Sequence, residues 1–184
     1  MALAVWANAP AKIKISTISM MLELAAPLQK SSIRLDSESP LLMAMATMED
    51  WATSYGRIDC MLTTADLLGN GAYEAVKDNP TYDGMLIYSV DCLAKTVLLI
   101  KDGEYTAAVY QNPPALAAAN LKAASQLLKG EESEVTTSVD SLLCTADNVD
   151  QFIQMYIDQK QITEDEAKTH GYEPGSADSI LNES

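Results

Sequence analysis

Two hydrophobic periods alternate along the chain, and together they predict the order of its strands and helices. Short apolar runs bounded by Gly, Pro, Asn or Ser are typical of strands, whereas apolar residues spaced three or four positions apart are typical of amphipathic helices. Strands are predicted at residues 2–7, 31–36, 58–64, 85–90, 105–110 and 139–145. Helices are predicted at residues 12–26, 40–55, 66–77, 92–101, 113–129 and 148–162.

This strict alternation predicts the α/β fold class, a three-layer α-β-α sandwich around a mostly parallel sheet. Parallel neighbours need a crossover connection between them, which is usually a helix. The run "MLIYSV" at 85–90 is apolar over most of its length, as expected of a central strand covered on both faces. We expect residues 1–158 to form the lobe and residues 159–184 to form an acidic helical and irregular tail, which begins near a capping box at 163–166.

The charge of the chain excludes some partners. Its 184 residues carry a formal net charge of −14, which argues against nucleic acid and anionic membrane surfaces, since both need basic residues. No apolar run reaches the roughly 18–20 residues of a spanning helix. The first residues lack a basic segment ahead of their apolar run, so no signal peptide is predicted in this chain.

Few residues offer catalytic or metal chemistry. The three cysteines show no metal-binding spacing, and we expect free, buried thiols. The one histidine, His170, lies in a polar stretch near the end. No glycine-rich phosphate fingerprint follows any predicted strand. We therefore expect no cofactor and no enzymatic activity.

Polar residues follow three of the predicted strands, and ligands of open parallel sheets bind beyond these carboxyl ends. Strand 58–63 is followed by Thr64, Ala65 and Asp66, strand 85–90 by Asp91, and strand 105–110 by Gln111. An aspartate accepts hydrogen bonds from hydroxyls, and a glutamine both accepts and donates them. The set suits a polyhydroxylated ligand.

Each of these residues also has a purely structural interpretation. Asp66 and Asp91 stand where helix N-caps stand, and aspartate is a favoured cap. Gln111 could be an ordinary loop amide, and Asn112 before a proline is typical of a turn. The sequence pattern leaves both interpretations open.

Three longer segments resemble a known family. They read "DCMLTTADLLGNGAYEAVKDN", "GMLIYSVDCLAKTVLLIKDGEYTAAVYQNPP" and "AANLKAASQLLKGE". In order and spacing they are similar to the C-terminal lobe of ribose/galactose-type periplasmic sugar-binding proteins, the solute-binding components of ABC importers. The resemblance covers residues 2–152 approximately, and the same fold occurs in LacI-type repressors.

The resemblance implies a ligand site and its residues. Members of this family close two lobes on a small ligand, usually a sugar, without catalysis. Asp91 and Gln111 match the family residues that contact sugar hydroxyls. Ala65 stands where the family has a ligand-binding asparagine, so Thr64, Ala65 and Asp66 occupy the neighbouring part of the site. Ser16 falls near the position of a family arginine.

The resemblance also implies a setting for the protein. We expect this chain to be a fragment or a reduced lobe without the N-terminal lobe, placed outside the cytoplasm and acting with an ABC permease through its full-length parent. The face that would meet the other lobe is expected to self-associate, as in a homodimer. The alternatives are an effector or sensor domain of a LacI-type repressor or receptor kinase and, less favoured, an enzyme of another α/β class.

Overall fold

The computed structural model describes residues 3–6, 39–131 and 139–183. The described strands are β1 (Leu3–Trp6), β2 (Cys60–Thr63), β3 (Leu86–Val90), β4 (Ala107–Tyr110) and β5 (Leu142–Thr145). The described α-helices are α1 (Pro40–Tyr55), α2 (Asp66–Val76), α3 (Ala94–Lys101), α4 (Pro113–Leu128), α5 (Val149–Asp158) and α6 (Glu164–Thr169). The helix predicted at 12–26 and the strand predicted at 31–36 lie outside the described residues.

The strands form one sheet in the order β1-β2-β3-β4-β5. The three central strands are parallel, with Met61 opposite Ile87 and Ser89 opposite Ala108. The predicted α/β class with a mostly parallel sheet is therefore confirmed. Both edge strands run antiparallel to their neighbours, which the alternation of elements did not predict. A parallel β5 would need a crossover helix packed on the sheet, whereas α4 buries none of its side chains.

The two faces of the sheet differ in burial, because successive side chains of a strand point to opposite faces. We call one the covered face; its buried side chains are Met61, Thr63, Ile87, Ser89, Ala108, Tyr110 and Cys144. On the other face Cys60 and Ala107 are buried, and the half-buried side chains are Leu62, Leu86, Tyr88, Val90, Val109, Leu143 and Thr145.

Three helices lie on the covered face. The Ser89 hydroxyl donates a hydrogen bond to Asp66 at the start of α2. The Phe152 ring of α5 meets the Tyr110 ring edge-on, with 5.9 Å between ring centroids. Helix α3 joins α2 through a buried hydrogen bond from Asn70 Nδ2 to Thr96 Oγ1 of 3.3 Å. The core thus lies between the covered face and these helices.

Two glycines inside α2 allow close packing. A Cβ atom at position 71 would lie 2.3 Å from the carbonyl oxygen of Leu41 in α1. A Cβ atom at position 69 would lie 1.8 Å from the hydroxyl oxygen of Tyr105. Any larger residue at either position would push α1 or Tyr105 away, so these glycines allow close packing of α2.

The chain after residue 158 packs on the same core. Ile162, Ala167 and Tyr172 are buried within the hydrophobic cluster that includes α5. The Tyr172 hydroxyl donates to Gln154 Oε1 of α5 at 2.9 Å. Thr163 caps α6 by accepting a hydrogen bond from the backbone N–H of Glu166 at 3.1 Å, as the capping box predicts. The domain boundary at residue 158 stays a prediction, although the core continues past it.

Candidate ligand site

The carboxyl end of β3 passes into a turn with unusual backbone geometry, which we call the 91–93 turn (Asp91–Leu93). Asp91 has φ of 107° and Cys92 has φ of 57°. Residues other than glycine avoid positive φ, and each such residue costs about 1–3 kcal/mol unless its surroundings hold it. This turn is therefore held by contacts with other parts of the molecule.

The two residues that the strand ends selected contact each other. Gln111 Nε2 donates a hydrogen bond to Asp91 Oδ1 at 2.8 Å. The backbone N–H of Asp91 donates to the carbonyl oxygen of Val109 at 2.9 Å, so the turn continues the pairing of β3 with β4. Asp91 is half-buried and Gln111 is exposed. The pair leaves one Asp91 carboxylate oxygen and the Gln111 side-chain carbonyl without a hydrogen bond to any described residue.

Asp66 is placed differently from Asp91. It is fully buried, and its Oδ2 accepts a hydrogen bond from the backbone N–H of Leu93 at 2.5 Å. Its Oδ1 accepts from the Ser89 hydroxyl. Both oxygens of this carboxylate are thus bound within the described structure, and its role in ligand binding stays a prediction. The carboxylate faces the 91–93 turn from beneath.

Burial raises the pKa of the Asp66 carboxyl above its ordinary value. The negative charge of Asp91 acts in the same direction, whereas hydrogen bonds from Ser89, Leu93 and Thr96 favour the charged form and oppose the shift. The net direction is upward, because the loss of hydration outweighs the hydrogen bonds.

The capping interpretation is wrong for both aspartates. The N-cap residue of α2 is Ala65 and that of α3 is Leu93. The turn interpretation holds for Asn112, which has φ of 52° and caps α4 by accepting a hydrogen bond from the backbone N–H of Ala115 at 3.3 Å.

The end of β2 adds little side-chain chemistry to the site. Thr64 and Ala65 are half-buried at the neighbouring strand end. Ala65 has no polar side-chain atom, and its carbonyl oxygen accepts a hydrogen bond from Thr63 Oγ1 at 3.1 Å. Ser16 lies outside the described residues. Of the predicted site residues, Asp91 and Gln111 are the pair that the structure brings into contact.

Two residues around the site were not identified by the sequence analysis. Ser89 is buried on the covered face and bonds Asp66, and the Tyr156 hydroxyl of α5 donates to the carbonyl oxygen of Cys92. A serine inside the apolar run "MLIYSV" was a usable signal, because a buried hydroxyl needs a partner. Tyr156 lies on the apolar stripe of α5 and carried no such signal.

The site suits hydroxyl binding better than catalysis. The exposed end of the Asp91–Gln111 pair offers two acceptor oxygens and the second amide hydrogen of Gln111. Within the part of the chain that the structure describes, no group of three or more metal-ligating side chains could hold a metal ion. Cys60, Cys92 and Cys144 are buried thiols, as expected. Among the described residues, no helix is long and apolar enough to cross a membrane.

Comparison with known proteins identifies the family. The family model described as periplasmic binding protein domain matches residues 36–132, which include α1 to α4 and both Asp91 and Gln111. The chain belongs to this family. The xylitol-binding protein of Mycolicibacterium smegmatis, a curated relative, is 29% identical over 119 residues, which are 64% of this chain and 34% of that protein.

Solved structures of the periplasmic binding protein fold agree with this family assignment. An ABC transporter solute-binding protein from Bacillus halodurans with bound myo-inositol gives a TM-score of 0.57 at 25% identity, covering 61% of this chain and 39% of that chain. The Caulobacter myo-inositol binding protein gives a TM-score of 0.56 at 23% identity, and the match covers 73% of this chain and 47% of that chain. The chain therefore spans less than half the length of these relatives and corresponds to one lobe of the fold.

Proposed function

We propose that this chain is the solute-binding lobe of an ABC transporter substrate-binding protein whose ligand is a sugar or a polyol. The observation that carries the proposal is the contact between Asp91 and Gln111 at adjoining ends of parallel strands. Both side chains directly follow strands, and their pairing fixes the direction of each polar group before a ligand arrives.

The pair would bind hydroxyl groups directly. The second carboxylate oxygen of Asp91 accepts a hydrogen bond from one hydroxyl, and the carbonyl oxygen of Gln111 accepts from a neighbouring one. A carboxylate acceptor forms a stronger hydrogen bond than a neutral one. Because Ala65 contributes no polar side chain, the end of β2 can add only the Thr64 hydroxyl and backbone groups. We therefore expect Asp91 to dominate the affinity of this lobe.

The relatives support this ligand class. One is named for xylitol, and two were solved with myo-inositol or as myo-inositol binding proteins. These compounds share several adjacent hydroxyls and no net charge, which is the chemistry that an aspartate–glutamine pair suits. A second lobe supplied by a longer protein, a location outside the cytoplasm and a permease partner are parts of the same proposal.

The alternatives have less support. The named relatives are solute-binding or polyol-binding proteins, and none of those three is named as a repressor, a kinase or an enzyme. These names favour a binding role in transport over a sensor domain or a catalyst.

Binding can be tested by calorimetric or NMR titration of the chain with xylitol, myo-inositol and D-allose. We expect saturable binding of at least one probe, and at least about tenfold weaker binding in Asp91→Ala, which corresponds to about 1.4 kcal/mol. Gln111→Ala should weaken binding less. Asp78→Ala is the control, because Asp78 is exposed and follows the end of α2, away from the carboxyl edge of the sheet.

Two results would contradict the proposal. One is the absence of binding for all three probes both in this chain and in a longer protein that contains it. The other is binding that Asp91→Ala and Asp78→Ala change equally.

We also infer that the site edge self-associates when no second lobe covers it. Leu67 and Leu93 flank the site at the starts of α2 and α3 and are 45% and 39% exposed. Exposed apolar side chains that lie close together are typical of a surface that another protein covers. Light scattering of the chain and of the Leu67→Lys/Leu93→Lys variant tests this, and a monomer at high concentration in both would contradict it.

A further inference from the structure

The 91–93 turn is held from beneath by two helices. The Asp66 carboxylate at the start of α2 accepts a hydrogen bond from the backbone N–H of Leu93, with 2.5 Å between Oδ2 and the nitrogen. The Tyr156 hydroxyl of α5 donates to the carbonyl oxygen of Cys92. Two consecutive backbone polar groups of the turn are thus bound by buried side chains from separate helices. These bonds can offset the strain of two residues with positive φ.

We infer that Asp66 is a positioning residue, whose buried carboxylate holds the 91–93 turn so that Asp91 faces Gln111 and the ligand. The consequence for ligand affinity rests on the proposed function. The conformation of the turn does not, because the hydrogen bonds that Asp66 accepts from Ser89 and Leu93 exist without a ligand.

The two hydrogen-bond donors at position 66 suit a carboxylate better than an amide. One oxygen accepts from a hydroxyl and the other from a backbone N–H, so both partners are donors in this arrangement. An asparagine presents one acceptor and one NH₂ group. Its NH₂ group would face the Leu93 N–H or compel the Ser89 hydroxyl to reorient, so at least one of the two bonds would be lost or rearranged.

The surroundings of Asp66 also suggest a specific role. None of the ion pairs among the described residues includes Asp66. Burying a carboxylate without a cation is unfavourable unless hydrogen bonds satisfy it. The bonds that satisfy this one connect α2 to the last residues of β3 and to the turn, so the carboxylate links the core to the ligand-binding edge.

Asp66→Asn tests the inference, with Tyr156→Phe as a second variant and Val76→Ala as the control. Val76 is buried in the same helix but lies at its far end, about 15 Å from Asp66 at 1.5 Å per residue. In Asp66→Asn we expect the Leu93 backbone amide and the Gln111 side-chain amide resonances to shift. Affinity for the probe among xylitol, myo-inositol and D-allose that the wild type binds most tightly should fall at least about tenfold.

The two other variants separate positioning from general stability. Tyr156→Phe keeps the ring in the core and removes one hydroxyl, so we expect a shift of the Leu93 amide and a loss of affinity of about threefold. Val76→Ala should lower the unfolding midpoint but leave both resonances in place and the affinity within about twofold of the wild type.

Each outcome decides one inference. Unchanged Leu93 and Gln111 resonances in Asp66→Asn, with affinity within about twofold of the wild type, would overturn the positioning role. If the wild type binds none of the probes, the proposed function fails, and the two resonances alone decide the positioning role. If Asp66→Asn does not fold, an unchanged Leu93 amide and unchanged affinity in Tyr156→Phe would overturn the proposed support of the turn.

Discussion

Helices α4 and α5 differ in whether their apolar residues are buried. Helix α5 has 10 residues and buries Val149, Phe152, Ile153, Met155 and Tyr156. Helix α4 has 16 residues and buries none, and Leu121 and Leu128 in it are 73% and 89% exposed. Apolar residues of α5 recur at the i, i+3, i+4 and i+7 positions of one stripe, whereas the alanines and leucines of α4 surround the helix. The arrangement of apolar residues, more than their number, decides which helix packs on the sheet.

The largest expected effect compares one residue from each helix. Phe152→Ala removes a fully buried ring that contacts Tyr110, and we expect a loss of about 3–5 kcal/mol of unfolding free energy. Leu121→Ala should change it by less than about 0.5 kcal/mol. Urea unfolding followed by circular dichroism measures both. Equal losses would mean that α4 is packed in solution.

The next prediction compares helix propensity with packing. Gly71→Ala improves the propensity of α2 but places a methyl group against the Leu41 carbonyl oxygen, so we expect a loss of about 1–3 kcal/mol. Asn120→Ala, at an exposed position of α4, should gain a few tenths of a kcal/mol, roughly 0.5 at most. The same unfolding assay applies, and a gain in Gly71→Ala would contradict the close packing of α1 on α2.

A smaller effect should appear in the pH dependence of stability. Burial raises the pKa of Asp66, so the folded state binds its proton more tightly than the unfolded state does. The contribution of Asp66 is therefore most favourable at low pH and is lost as pH rises through the folded-state pKa. As the pH falls from neutral toward the ordinary pKa of an aspartate, the wild type should therefore gain unfolding free energy relative to Asp66→Asn.

The control for this measurement is Asp140→Asn, which removes the same charge at an exposed position. If the unfolding free energies of both variants change with pH in parallel with that of the wild type, the upward shift of the Asp66 pKa is absent. This prediction also separates the two regions. The helices on the covered face bury a carboxylate, that of Asp66 in α2, whereas α4 buries no side chain.

The smallest expected effect is an ion pair between α3 and α5. Lys101 Nζ lies 2.6 Å from Asp150 Oδ1, with the two side chains 21% and 44% exposed. A double-mutant cycle with Lys101→Ala and Asp150→Ala should give a coupling of about 0.2–1 kcal/mol, because solvent screens partly exposed charges. Coupling above that range would mean that solvent screens this pair less than its exposure indicates.

Local pattern determined much of this protein by itself. The described helices and strands lie within a few residues of the predicted ones, because strand and helix periods and the Pro and Gly boundaries are local properties. Asp91 and Gln111 could be selected as candidate ligand residues for the same reason, since strand ends follow from the order of elements.

The tertiary structure determined the features that depend on contacts between residues far apart in the sequence. The antiparallel β5 edge depends on where α4 goes after β4, which no local period encodes. The buried role of Asp66 depends on Ser89 and Leu93, more than 20 residues away in the chain. The hydroxyl of Tyr156 reaches Cys92 across 64 residues. Sequence periodicity predicts which side chains lie on one face, but only the packed fold decides which of those side chains meet.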